Sequence, residues 1–106
     1  MRSKYIMVEF LDENEREHQM PILFPQVVIH EDMWKAVARG LHGALRPLSA
    51  GFVEQRGDRL VCYGRSESLR LDSRPEADTF IGNSMDLTNS STVSRNGSYG
   101  IRSYDR

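Results

Sequence analysis

At 106 residues with a formal net charge of −1, the chain has the length of one domain and lacks the basic excess of a nonspecific nucleic-acid binder. No apolar run reaches the roughly 18 residues of a membrane helix, and the basic start Met1–Lys4 is followed by a stretch broken at Glu9 and Asp12, unlike a signal peptide. The single cysteine, Cys62, excludes an internal disulfide framework and suits a reducing compartment, so the expected location is cytoplasmic (the host cytoplasm if the chain is phage-encoded).

Lys4 to Leu11 alternates, with Ile6, Val8 and Phe10 on one face and Tyr5, Met7 and Glu9 on the other. Asp12 to Glu17 is a charged connector. His18 to Phe24 alternates again and places Met20, Ile22 and Phe24 together, while Pro21, which cannot donate to a ladder, makes this an edge strand or one interrupted there. These two segments read as a first hairpin. Gln26 to His30 is a short strand or the lead into a helix. Glu31 to Leu41 has helical spacing, with Met33, Val37 and Leu41 in register and Trp34 and Ala38 widening the stripe. Glu31 and Asp32 suit its first turn, Gly40 or Gly43 its end, and Pro47 the next turn.

A second hairpin follows. A Gly57-Asp58 turn of type II′ pairs Arg56 with Arg59, Glu54 with Val61 and Phe52 with Tyr63, and turns Val53, Gln55, Leu60 and Cys62 to the other face. Gly51 then faces Gly64, which leaves room for another backbone or a ligand. Arg56-Gly57-Asp58 also spells an adhesion tripeptide, for which a hairpin tip is the simpler explanation. Ser73-Arg74-Pro75-Glu76 matches a capping box that opens a final helix, with Ala77, Phe80, Ile81, Ser84 and Met85 on one face. From residue 87 to 106 the chain is too polar to bury its own core, so it is expected to be a flexible tail, or one ordered by a partner.

The chemistry-bearing stretch is Gly64-Arg65-Ser66-Glu67-Ser68-Leu69. A positioned guanidinium with neighbouring hydroxyls and amides suits a phosphate or carboxylate, although the spacing of a P-loop is missing. By the hairpin register Ser49 and Gly51 adjoin it, and Arg70 adds charge. The expected ligand-binding residues are therefore Ser49, Gly51, Gly64, Arg65, Ser66, Ser68 and Arg70. The alternative is a polar turn whose hydroxyls satisfy local amides. His18, His30 and His42 have no paired spacing, so no metal or other cofactor is expected, and no acid, base and nucleophile set emerges for catalysis.

The pieces Ile22-Leu23-Phe24-Pro25, Ser49-Ala50-Gly51-Phe52, Val61-Cys62-Tyr63 with Gly64-Arg65-Ser66-x-Ser68-Leu69, and Ser73-Arg74-Pro75-x-x-Asp78 resemble a group of small uncharacterised proteins of tailed bacteriophages and prophages. The resemblance covers about two-thirds of the chain by its spread of motifs, and it carries no biochemical role.

The expected architecture is α+β: residues 1–86 form two antiparallel hairpins in one sheet, with two helices on one face. The expected function is that of a non-enzymatic phage accessory protein that binds a host or viral protein, as a homo-oligomer. Two alternatives stand beside it: sequestration of a small anionic ligand such as a nucleotide signal, and a minor structural role in the virion. Neither a membrane nor nucleic acid is an expected partner.

Overall fold

The structure is a computed structural model that describes residues 2–85. The expected tail over 87–106 lies outside the described residues. Strand β1 (Arg2–Leu11) carries the core on both of its faces, since Tyr5, Ile6, Met7 and Val8 are all fully buried. Four successive buried side chains require cover on two sides, because alternate residues of a strand point in opposite directions.

The sheet that surrounds β1 is antiparallel, in the order β2-β1-β3-β4, with β2 at Glu17–Phe24, β3 at Ala44–Arg56 and β4 at Arg59–Tyr63. Both predicted hairpins are present in this one sheet. In the second, the register agrees pair for pair with the turn-based expectation, from Arg56 opposite Arg59 to Phe52 opposite Tyr63. Gly57 has φ of 65°, as the first position of a type II′ turn requires. Pro21 does lie on an edge strand, opposite Met7. Pro47 departs from expectation. It sits inside β3 opposite Val8 at a register shift, where no β4 residue pairs with it, so its missing N–H breaks no ladder on that side.

Helix α1 (His30–Gly40) covers one face of the sheet. Met33, Trp34 and Val37 pack with Leu41 against Ile6, Val8, Phe24 and Ala50, while Ala38 is exposed. Full burial of such side chains contributes about 1.5–3 kcal/mol each, and the half-buried helix residues contribute a part of that. Helix α2 (Pro75–Ser84) lies on the opposite face, where Ile81 packs against Tyr5, Met7, Val53, Leu60 and Cys62. The expectation of both helices on one face is therefore wrong. The four successive buried residues Tyr5–Val8 need two covers, and one helix supplies each.

The start of α2 also differs from the capping-box reading. Its N-cap is Arg74, without a side-chain cap bond, and Ser73 turns its hydroxyl to the Tyr5 phenol at 2.6 Å. Of the face expected to be buried only Ile81 packs inward: Ala77, Ser84 and Met85 are exposed and Phe80 is 71% exposed, while Asp78 and Gly82 join Ile81 at the inward positions. Between β4 and α2 a two-stranded ribbon, β5 (Arg65–Ser66) with β6 (Leu71–Asp72), packs Leu69 and Leu71 into the α1-side core.

The two edges of the sheet are finished differently. At β4, the Leu60 N–H donates to Asn83 Oδ1 at 2.9 Å and Asn83 Nδ2 donates back to the Leu60 carbonyl at 2.9 Å. The Cys62 N–H donates to Thr79 Oγ1 at 2.9 Å. Side chains of α2 thus occupy the outward backbone groups of β4. Among the described residues no side chain does this along β2.

Candidate functional site

The segment after β4 forms one wall of an open cleft of about 460 Å³. Gly64, Arg65, Glu67 and Ser68 line it from that side, and Ile29 and His30 line it from the start of α1. Lys4 and Phe52, which are paired across β1 and β3, form its floor. Three of the expected ligand residues, Gly64, Arg65 and Ser68, are therefore brought together.

The other four are not. Ser49 is fully buried on the α2 side, and Gly51 presses against backbone. A Cβ at Gly51 would collide with the Tyr63 carbonyl oxygen, so the room expected between the two glycines is already taken by the chain itself. Ser66 is buried and its Oγ accepts the Leu69 N–H at 3.1 Å, the local-turn role of a serine. Arg70 is exposed in the left-handed region with φ of 56°, outside the cleft lining.

Within the cleft, Arg65 reaches Asp72 Oδ1 at 3.1 Å and Glu67 Oε2 at 3.4 Å. Both acids are well exposed, so these pairs contribute no more than about 1 kcal/mol each. Lys4 Nζ donates to the Val28 carbonyl at 2.8 Å, which leaves two of its N–H groups uncommitted to that bond. Ser68 Oγ accepts the Glu31 N–H at 3.0 Å, so the loop caps α1 from outside the helix while the Ser68 hydroxyl proton is still free to donate. His30 is buried between the Phe24 and Phe52 rings, each edge-on to it, and its Nε2 donates to the Gly51 carbonyl at 3.0 Å. Burial, then the neighbouring Lys4 charge, holds its pKa below the ordinary value, so it gives the cleft shape rather than charge. Arg2 stands 4.5 Å over the Phe52 ring.

On the opposite face lies a second polar cluster, centred on the fully buried Asp78. Its Oδ2 accepts from the Tyr5 hydroxyl at 2.5 Å, the Ser49 hydroxyl at 2.7 Å and the Arg74 N–H at 3.0 Å. Its Oδ1 accepts from Arg74 Nε at 3.0 Å, and Arg74 Nη2 lies 2.9 Å away before reaching on to Gln19 Oε1 at 2.8 Å. Burial and the hydrogen bond to Asp78 push the Tyr5 phenol well above its ordinary value, and burial, then the Asp78 charge, raises Cys62 to about 11. Both groups are thereby kept protonated at neutral pH, the reverse of what an activated nucleophile needs. The cluster ties α2 to β1 and β3.

Sequence reasoning missed Lys4, His30 and Phe52 as cleft residues and Asp78 as a buried carboxylate. Lys4 continues the alternation of Ile6 and Val8, which was a usable signal for its face. Nothing local to either strand reports that β1 pairs with β3, and that pairing is what puts Lys4 beside Phe52.

Comparisons with known protein families, with curated proteins and with solved structures gave no match. Among the described residues no group of three or more His, Cys, Asp or Glu side chains is placed to hold a metal ion, and no helix is long and apolar enough to cross a membrane.

Proposed function

We propose that this chain is a non-enzymatic accessory protein, of the tailed-bacteriophage kind its motifs resemble, that acts by binding a host or viral protein. The observation that carries this reading is the unequal finish of the sheet. The β4 edge is occupied by Asn83 and Thr79, while among the described residues nothing pairs with the β2 edge, which runs into three exposed apolar side chains within seven residues. Leu23 is 40% exposed, Ile29 53% and Val27 90%. A free strand edge offers backbone bonds to a partner, and apolar side chains at its end offer area to bury. Pro21 removes one donor from that edge, which confines strand pairing to either side of it and works against indiscriminate edge-to-edge association.

The reading of binding rather than catalysis is supported by the fate of the ionisable groups. Asp78, Tyr5 and Arg74 are bonded to one another, and Cys62 is held protonated beside them. A homo-oligomer is one use of the same surface, and a place in the virion is another.

Affinity capture of the tagged full chain from infected cells, combined with light scattering on the purified protein, tests the proposal. Wild type is expected to retain a defined protein partner or to self-associate, and Val27→Asp to weaken that association at least about tenfold, because it buries an unpaired charge. Phe80→Ser, on the outer side of α2, is the control that leaves it unchanged. A strict monomer with no partner, or capture indifferent to Val27→Asp, overturns the proposal.

A further inference from the structure

We infer that the cleft between the 64–68 turn and the start of α1 is a binding site for a small organic phosphate, one with an apolar body attached to its phosphoryl group. The inference shares Ile29 with the apolar end of the β2 surface, but it rests on Lys4, Arg65 and Ser68, so either reading can fail without the other.

Three features of the cleft carry it. The first is a local surplus of cationic donors in a chain of net charge −1. Among the described residues Lys4 and Arg65 line the cleft and Arg2 stands against its Phe52 wall, three cations facing two acids, Glu67 in the lining and Asp72 beside Arg65. A guanidinium fork and an ammonium with spare N–H groups, together with the free Ser68 hydroxyl proton, match an oxyanion with several acceptor atoms.

The second is how weakly Arg65 is held. Its partners Asp72 and Glu67 have side chains that are 75% and 88% exposed, so both pairs lie in high dielectric and an incoming dianion can compete for the guanidinium. Glu67 can swing into solvent as this happens. The Asp78 cluster behaves differently: Arg74 makes bonds there to a carboxylate with no exposure and is not available.

The third is the wall. Phe52 and Ile29 give the cleft an apolar side, and at about 460 Å³ it exceeds what an inorganic ion needs and falls in the range of small-molecule sites. The neutral His30 beneath it, held by the Gly51 carbonyl, fixes the position of the Phe52 ring without adding charge. A phosphate held by Lys4, Arg65 and Ser68 with its apolar body against Phe52 and Ile29 uses both the polar and the apolar side chains of this lining.

Phenyl phosphate is the probe, with inorganic phosphate and benzoate as comparison arms, and amide chemical shifts of the full chain as the readout. Phenyl phosphate is expected to shift the amides of Gly64–Ser68 and His30–Asp32 in a saturable way, and to bind at least about tenfold tighter than either comparison compound. Arg65→Gln should weaken it by about tenfold or more, through loss of a charge-assisted bond. Glu67→Gln should strengthen it, since a facing carboxylate is removed, and a purely structural role for the turn would not give that gain. Melting temperatures of both variants near wild type confirm that the fold is intact. The inference is overturned by an absence of saturable shifts in those amides, by benzoate or inorganic phosphate binding as well as phenyl phosphate, or by Glu67→Gln failing to strengthen binding in a folded variant.

Discussion

A carboxylate taken out of water is costly unless its lone pairs are matched, and Asp78 meets that condition through Tyr5, Ser49 and both the backbone and the guanidinium of Arg74. Removing it strands three donors and a cation in the interface between α2 and the sheet. Asp78→Ala is expected to destabilise the fold by about 3–5 kcal/mol in urea denaturation, whereas Tyr5→Phe, which deletes one donor, should cost only about 1–2 kcal/mol. The same neighbourhood sets the pH range of stability. The folded state favours the protonated Cys62, whose thiol is raised from 9.0 to about 11, so this contribution is complete below pH 9 and is lost as pH rises toward 11. His30 acts on the other side. Its lowered folded-state pKa means that the neutral form is favoured, so its contribution is complete above pH 6.5 and is lost on acidification. Denaturation midpoints measured across pH should show a plateau between these limits, and Cys62→Ala should flatten the alkaline limb from pH 9. A midpoint that climbs between pH 9 and 11 contradicts this assignment.

At the scale of elements, α2 packs one face of the sheet and also finishes its β4 edge, because Asn83 and Thr79 project sideways onto Leu60 and Cys62. Asn83→Ala should cost about 1–3 kcal/mol by leaving a donor and an acceptor unmatched, and should selectively accelerate hydrogen exchange at the Leu60 amide. Gly51→Ala addresses the crossing of β3 by the chain after β4. Its Cβ has no space beside the Tyr63 carbonyl, so a loss of about 1–3 kcal/mol is expected from the forced backbone shift. The elements themselves were legible wherever local chemistry decides them. Gly57-Asp58 set the turn and every pair in the second hairpin, and Pro21 identified the edge strand. The start of α2 was legible to within a residue, with Pro75 in its first turn, but its capping was not, because Ser73 and Asp78 serve long-range partners on Tyr5 and Ser49 that a capping pattern does not report. Phe80 was misplaced for a related reason: an apolar residue at helical spacing reads as core, yet the inward position is held by a carboxylate.

For the whole molecule, the lesson of β1 is that unbroken burial along a strand implies a layer on each side, and α1 and α2 supply those layers. Only part of the candidate site was visible beforehand. Gly64, Arg65 and Ser68 came from the polar turn, but Ser49 separated from them once it proved to face α2, and Lys4 joined them through a strand pairing that no local pattern encodes. Much of the Gly64–Leu69 and Ser73–Asp78 pattern has an architectural use: Ser66 and Ser68 cap backbone amides, Leu69 enters the core, and Ser73, Arg74 and Asp78 build the buried cluster. Among the described residues, these uses leave the β2 edge with its apolar end unoccupied. Site-specific photocrosslinking in infected cells tests that claim most directly, with the crosslinking residue placed at Val27 and, as a control, at Glu76 on α2. Adducts to one defined protein from position 27 and none from position 76 are the expected result. Adducts from position 76 alone, or from neither position, contradict the account.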